Sequence, residues 1–171
     1  MENIWHQHIL RARYQETDQM GVVHHANYLG WFETGRTEWL RSAGSSYHQL
    51  ESLGLFLPLV DLSIKYRKPA HYDDLIAVYT SLTDFSAVRV QFDYEVRRIA
   101  DAPAGAAALQ SGQHAKSGEG GFGVAPEGEL LSSGSSRHMW LNREWKPARL
   151  DKIAPEVFRL LQSYLRRDAI S

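Results

Sequence analysis

The stretch that decides the fold is residues 28–43, which read YLGWFETGRTEWLRSA. Its apolar side chains recur at helical spacing. They form one stripe made of Tyr28, Leu29, Phe32, Trp39, Leu40 and Ala43. Asn27 before the stretch can cap a helix, and Gly44 after it suits the position that follows a helix end. A glycine inside a helix costs stability, so Gly35 predicts a close approach of another element. We therefore predict a long amphipathic helix whose aromatic stripe is covered by a sheet.

Segments on both sides of this helix alternate apolar and polar residues with period two. That pattern indicates antiparallel strands with one covered face. The predicted strands occupy residues 7–14, 60–67, 75–84, 88–97 and 129–141. A short helix is predicted near residues 46–53, and Pro155 suits the first position of a C-terminal helix. The order predicts an α+β fold, with a five-stranded antiparallel sheet wrapped around one long central helix, plus a C-terminal helix.

Length and composition narrow the class of protein. The 171 residues fit one domain, residues 1–171. A net charge of −1 gives no overall field toward nucleic acid or an anionic membrane. The absence of cysteine excludes disulfides, thiolate metal sites and cysteine nucleophiles. No secretory signal and no apolar run of roughly 20 residues are found. We expect a cytoplasmic protein with no membrane span and no nucleic-acid partner.

The loop before the helix carries the candidate chemistry. Residues 14–28 read YQETDQMGVVHHANY. Gly21 permits a tight turn that would aim free backbone N–H groups near the helix start, where the helix dipole suits an oxygen that gains negative charge. Asp18 would then attack a carbonyl carbon or activate a water that does so. The alternative is that Asp18 only supports the turn and that His24 and His25 only cap the helix.

Three blocks of the sequence together resemble the hotdog-fold thioesterases of the 4-hydroxybenzoyl-CoA thioesterase and YbgC type. The first block is D-x-x-G-x-V-x-x-x-N-Y followed by W/F-x-E/D-x-x-R-T/S. It is carried by Asp18, Gly21, Val23, Asn27, Tyr28, Trp31 or Phe32, Glu33, Arg36 and Thr37. The second block is residues 66–75, and the third lies in residues 130–150. The latter contains Gly134, His138, Trp140, Lys146, Pro147 and Arg149. The blocks stand in the family's order at compatible spacing and cover most of the chain.

The resemblance implies hydrolysis of an acyl-CoA thioester to a free acid and CoA. The position of Asp18 is that of the family's catalytic carboxylate, which acts as nucleophile or general base. The backbone N–H of His25 would polarise the thioester carbonyl, and Gly21 would shape the loop. Family members join two five-stranded sheets into one ten-stranded sheet with sites at the interface, so a homodimer or homotetramer is expected. No metal or redox cofactor is expected, because CoA is part of the substrate.

The resemblance also suggests where the substrate binds. The candidate residues are His24, Asn27, Tyr28, Lys65, Arg67 and Lys68. Relatives often have an aromatic residue at the position of His24, so acyl specificity would differ, or a group that titrates near neutral pH is added. The three basic residues would meet the phosphates of CoA, although a solvated strand edge explains them equally well.

Residues 100–128 are rich in glycine and alanine and look longer than the corresponding stretch of the family. We expect a flexible insertion that forms a disordered hairpin tip, because this composition buries little surface. A lid over the acyl pocket is the alternative.

Other functions remain open on this fold. An acyl-ACP thioesterase would use the same chemistry with acyl carrier protein as a partner. A dehydratase would need a histidine and a carboxylate arranged across the dimer. A non-catalytic acyl-CoA-binding regulator would usually carry an extra DNA-binding module, for which no residues are left. The sequence does not predict the acyl chain.

Overall fold

The structure is a computed structural model that describes residues 3–100 and 121–166. The strands are β1 (His6–Arg11), β2 (Leu59–Tyr66), β3 (Leu75–Phe85), β4 (Arg89–Arg98) and β5 (Glu129–Met139). The helices are α1 (Asn27–Ser42), α2 (Tyr47–Ser52), α3 (Leu150–Ile153) and α4 (Pro155–Arg166). Most of the predicted insertion, residues 101–120, lies outside the described residues, so its flexibility stays a prediction.

The five strands form one antiparallel sheet in the order β1-β3-β4-β5-β2. The long helix α1 lies against one face of this sheet. The ring of Phe32 stacks on Tyr94 of β4 with centroids 4.3 Å apart, and Trp39 meets Phe92 edge-on at 5.4 Å. This arrangement confirms the predicted α+β hotdog fold.

Gly35 allows α1 to approach β3 closely. A Cβ atom added at Gly35 would lie 2.5 Å from Thr80 Oγ1 and 2.7 Å from Val78 Cγ1, which is closer than real contacts allow. The prediction of a close approach at this glycine is confirmed. The predicted stripe was wrong at one position, because Leu29 is exposed and Trp31 is buried in its place. The indole of Trp31 turns inward to bind a buried carboxylate described below.

Two predicted helix starts are confirmed, and one predicted strand end is wrong. Ser46 caps α2 by accepting from the N–H of Gln49, and α4 begins at Pro155, as expected. The strand predicted over residues 7–14 ends early, at Arg11. Beyond it, residues Tyr14–Glu16 form a 3₁₀ turn, which is closed by the Glu16 carboxylate accepting from the N–H of Arg13.

The C-terminal helix α4 packs against the core through two aromatic contacts. Phe158 packs on Phe85 with ring centroids 5.1 Å apart, and Tyr164 packs on Trp39 at 5.0 Å. Across residues 3–100 and 121–166, no helix has the length and apolar character needed to cross a membrane.

A chain of buried polar groups crosses the core between α1 and the sheet. Arg36 donates to Nδ1 of His138 at 3.0 Å, Nε2 of His138 lies 2.8 Å from Ser136 Oγ, and that oxygen lies 2.7 Å from the Tyr94 hydroxyl. Burial, and then the charge of Arg36, lowers the pKa of His138 to about 4. Burial, and then the neighbouring His8, lowers the pKa of His6 to about 4 as well.

These two histidines predict a loss of stability in mild acid. The unfolded chain takes up protons on both as pH falls through 6.5, whereas the folded chain keeps them neutral until about pH 4. The free energy of unfolding should therefore fall as pH drops from 6.5 to 4. Thermal melts across this window should show a falling Tm, with a shallower fall in His138→Gln. His48→Gln, at an exposed histidine of α2, is the matched control for the loss of an imidazole. A Tm that does not fall between these pH values contradicts the prediction.

Candidate active site

The loop before α1 folds as a small hairpin that carries Asp18 near its tip. Thr17 and Val23 form an antiparallel bridge, and the N–H of Asp18 donates to the Val22 carbonyl at 2.9 Å. The turn closes where the N–H of Gly21 donates to the Asp18 carbonyl at 3.0 Å. Gly21 has a φ of +77°, which glycine adopts without steric cost. The predicted tight turn at Gly21 is confirmed.

Only one oxygen of the Asp18 carboxylate forms a hydrogen bond within the turn. Oδ1 accepts from the N–H of Met20 at 2.8 Å, so the side chain does support the loop. Among the described residues Asp18 forms no ion pair, and Oδ2 has no hydrogen-bond donor. One oxygen of a half-buried carboxylate is thus left for a substrate or a water.

His24 and His25 make different hydrogen bonds just before α1. Nδ1 of His24 accepts from the N–H of Ala26 at 3.2 Å, which supports the turn into α1, but no side chain of the described residues caps the helix, so the expectation that His24 caps it is wrong. The two imidazoles lie 4.1 Å apart at 32°. The carbonyl of His25 accepts from the Tyr66 hydroxyl at 2.9 Å, but its N–H meets no acceptor in the described part of the chain. An unsatisfied N–H at a helix start suits an oxygen that gains negative charge.

Asn27 does not cap the helix as the sequence suggested. It is the first residue of α1, and its side-chain amide donates to the Glu16 carbonyl at 2.7 Å. The same carbonyl accepts from the N–H of His24 at 2.8 Å. Asn27 therefore ties the helix start to the 3₁₀ turn, where the hairpin begins.

Glu16 is a residue of this site that the sequence reasoning missed. Its side chain is buried, and its carboxylate accepts from the N–H of Arg13 at 2.7 Å, from Nη2 of Arg13 at 3.3 Å and from the indole of Trp31 at 3.1 Å. Together with the two bonds to its carbonyl, Glu16 joins the 3₁₀ turn, the hairpin and α1. Its only sequence signal was its place two residues before Asp18.

Comparison with known proteins assigns the family. Residues 12–155 match the family model described as the thioesterase-like superfamily. The chain belongs to this family. No three His, Asp or Glu side chains of residues 3–100 and 121–166 lie close enough together to hold a metal ion. The expectation that no metal takes part stays a prediction.

Individual relatives match between half of the chain and nearly all of it. YneP of Bacillus subtilis, provisionally named an acyl-CoA thioesterase, is 32% identical over 148 residues, which are 86% of this chain and 88% of YneP. The acyl-CoA thioesterase YbgC of Haemophilus influenzae is 36% identical over 90 residues, 52% of this chain and 66% of YbgC. The solved structure of a DHNA-CoA thioesterase from Staphylococcus aureus superposes with a TM-score of 0.76 at 27% identity, covering 98% of this chain and 97% of that one.

The loop between β2 and β3 holds the hairpin of the thioesterase-like chain against α1. The N–H of Ala70 donates to the Tyr28 hydroxyl at 2.9 Å, and the Ala70 carbonyl accepts from the N–H of Val23 at 2.8 Å. Burial raises the pKa of Tyr28, so its hydroxyl stays protonated. Tyr28 thus positions the loop from inside the protein.

Tyr28→Phe should destabilise the fold by about 1–2 kcal/mol, because the fully buried N–H of Ala70 loses its acceptor. Chemical unfolding at fixed protein concentration measures the change. Tyr72→Phe is the matched control, because Tyr72 is exposed. Equal stability of the two variants contradicts the role of the Tyr28 hydroxyl.

The predicted phosphate-binding residues do not all face the loop. Lys65 lies with Ser63 and Gln91 on the sheet face opposite Tyr66. Lys68 Nζ lies 2.5 Å from Glu129 Oε1, and the same carboxylate also pairs with Arg98, so Lys68 already has an acidic partner. Arg67 follows the end of β2, and its guanidinium forms no ion pair with a described residue. Six of the predicted site residues therefore lie together in the loop and the first turn of α1, namely Asp18, Gly21, His24, His25, Asn27 and Tyr28, whereas Lys65 lies apart from them. The roles of these residues, and those of Arg67 and Lys68, stay predictions.

Proposed function

We propose that this chain hydrolyses acyl-CoA thioesters to a free carboxylic acid and CoA. The single observation that carries the proposal is that the loop leading into α1 holds two polar groups without a partner among the described residues. One is the Oδ2 atom of Asp18 and the other is the N–H of His25. Acyl transfer needs these two groups on the two sides of a carbonyl. The names of relatives that share the superfamily point to the same reaction.

Two routes use the same residues. As general base, Asp18 takes a proton from a water whose oxygen attacks the thioester carbon. As nucleophile, Asp18 itself attacks, expels the thiolate and forms a mixed anhydride that water then hydrolyses. In both routes the N–H of His25 holds the oxyanion, the C–S bond breaks, and the CoA thiolate leaves and takes up a proton. No cofactor takes part.

A single turnover in ¹⁸O-water can establish the nucleophilic route. Attack by Asp18 on the acyl group, followed by water attack on the Asp18 carbonyl of the anhydride, places the label in the Asp18 carboxylate. Direct water attack on the thioester, and water attack on the acyl carbonyl of the anhydride, both place it in the product acid alone. Mass spectrometry of the peptide containing Asp18 reads the difference.

A thiol-release screen tests the proposed reaction. Acyl-CoAs with short, medium, long and aromatic acyl groups are offered to the whole chain, and free CoA is measured with a thiol reagent. We expect turnover of at least one class well above the rate of a heat-denatured sample. Binding of acyl-CoA without turnover of any class would show a non-catalytic binding protein instead.

Acyl carrier protein is the second candidate carrier. The chemistry at the thioester is the same, so the two carriers must be compared with the same acyl group in one assay. A higher kcat/KM with CoA supports the proposal. A higher kcat/KM with acyl carrier protein assigns the chain to the alternative.

We also propose that the working enzyme is at least a homodimer joined through β2. This strand ends the sheet, pairs only with β5 among the described strands, and exposes Leu59, Val60 and Tyr66. An open apolar edge strand invites another strand. Light scattering behind size exclusion should give at least twice the chain mass of 19.5 kDa, and whether two such dimers associate into a tetramer follows from the same measurement.

A further inference from the structure

After β5 the chain forms a short hairpin with an exposed tryptophan at its tip. Leu141 pairs with Pro147, and Asn142 Oδ1 accepts from the N–H groups of Glu144 at 2.9 Å and Lys146 at 3.0 Å. Trp145 sits in this tip with a φ of +59°. Glycine or asparagine is the usual residue in that conformation, because a bulky side chain is strained there.

Packing within the described residues does not compensate the strain at Trp145. Its side chain is 68% exposed, so the fold gains little from having tryptophan rather than glycine at this position. A strained residue with no structural benefit points to a function.

Trp145 forms one wall of a cleft of about 570 Å³. The cleft is lined by Glu51, Phe56, Leu57, Pro58, Arg143 and Trp145. The rings of Phe56 and Trp145 are nearly parallel, 22° apart in plane with centroids at 6.4 Å. Arg143 lies over Gly54 and forms no ion pair in the described part of the chain. An exposed indole beside a free guanidinium suits a flat heteroaromatic ring that carries phosphate.

Within one subunit this cleft is far along β2 from the proposed catalytic loop. The hairpin joins the segment before β2 through the bridge between Phe56 and Leu141, close to Leu59. Tyr66, at the other end of β2, donates to the His25 carbonyl. Antiparallel pairing of two β2 strands places the Leu59 end of one subunit beside the Tyr66 end of the other. The cleft of each subunit then flanks the catalytic loop of its partner.

We propose that the cleft of Phe56, Arg143 and Trp145 completes the thioester site of the partner subunit by binding the nucleotide end of CoA. The adenine stacks on the face of Trp145, and a phosphate meets the Arg143 guanidinium. Arg67, which follows the Tyr66 end of the catalytic subunit's β2, adds a second cation on the other side of the interface. The inference rests on the proposed acyl-CoA reaction and on the paired β2 edges.

A substrate that lacks the nucleotide tests the proposed contact between Trp145 and the adenine. Trp145→Gly removes the stacking face and relaxes the backbone at φ +59°, so the variant should fold at least as well as wild type. KM for an acyl-CoA should rise about tenfold, the scale of one lost base–aromatic stack, while KM for the same acyl group on pantetheine, which lacks the nucleotide, stays unchanged. Arg143→Gln should give the same selective rise, and Trp145→Phe, which keeps a ring, a smaller one. Equal changes with both substrates, or no change with either, overturn the proposal.

A mixed dimer tests whether the contact crosses the interface. One subunit carries Asp18→Asn and the other carries Trp145→Gly, and two different affinity tags isolate the heterodimer. Its only intact Asp18 lies in the Trp145→Gly subunit, whose substrate would meet the partner subunit's Trp145. A wild-type KM for acyl-CoA supports the proposal. A tenfold raised KM, or a monomeric chain in solution, overturns it.

Calorimetric titration with CoA separates this inference from the proposed reaction, because it needs no turnover. If Trp145→Gly weakens CoA binding about tenfold while no acyl-CoA is hydrolysed by wild type, the cleft is supported and the reaction is not. If hydrolysis is normal and CoA affinity is unchanged in Trp145→Gly, the reaction stands and the cleft assignment fails.

Discussion

Replacing Asp18 with asparagine should lower kcat for acyl-CoA hydrolysis by about 10³-fold, within the range of a lost catalytic base. Asparagine keeps the Oδ1 atom that accepts from the N–H of Met20, so the turn around Gly21 persists. What is lost is the negative charge that attacks the carbonyl or takes the proton of water. KM should change little, because Asp18 is proposed to act on the reacting carbon and not to hold CoA. Steady-state thiol release measures both constants, and a thermal melt checks the fold.

Two further variants show which property of Asp18 matters. Asp18→Ala removes both the charge and the turn acceptor, so it should add a stability loss of about 1 kcal/mol to the same loss of kcat. Asp84→Asn changes an exposed aspartate of β3 in the same way and should leave kcat unaltered. Near-normal kcat in Asp18→Asn would rule out the assignment and leave only the architecture.

The helix and strands were predictable because their signals are local. The alternation over residues 88–97 predicted an apolar face of Val88, Val90, Phe92, Tyr94 and Val96. The last four lie in β4 and are buried, whereas Val88 precedes the strand and is half-buried. The stripe of α1 failed where apolarity alone does not decide burial. Trp31 is buried because its indole N–H reaches Glu16, 15 residues earlier, while Leu29 at the first turn points to solvent. That partner is set by the tertiary fold and leaves no trace in helical spacing.

The candidate site also has a part that the sequence predicted and a part that it did not. Asp18, Gly21 and the helix start lie within a few residues of one another, so turn chemistry and the family resemblance located them together. The ion pair of Lys68 was not predictable, because its partner Glu129 lies on β5, 61 residues away. Nor was the tie between Ala70 and Tyr28, which joins two segments 42 residues apart.

Glu16→Ala should destabilise the folded protein by about 3 kcal/mol, the second large effect that the structure predicts. The carboxylate is buried, and its removal leaves the N–H of Arg13 and the indole N–H of Trp31 without acceptors. The same change frees the 3₁₀ turn from α1, so kcat should fall even in the folded fraction. Urea unfolding at fixed protein concentration measures the first effect, and thiol release below the unfolding transition measures the second.

A double-mutant cycle with Trp31→Phe separates the carboxylate–indole contact from the rest. Trp31→Phe alone removes one donor and leaves the carboxylate bound to Arg13, so its cost should be smaller than that of Glu16→Ala. In the double variant the indole no longer lacks an acceptor. The combined loss should therefore be less than the sum of the two by about 1 kcal/mol or more. Glu144→Ala, at a surface ion pair with Lys146, should be nearly neutral and shows what removal of an exposed glutamate costs. If the two losses simply add, Glu16 and Trp31 act independently, and the link from the turn to the helix runs only through the Glu16 carbonyl, which both variants retain.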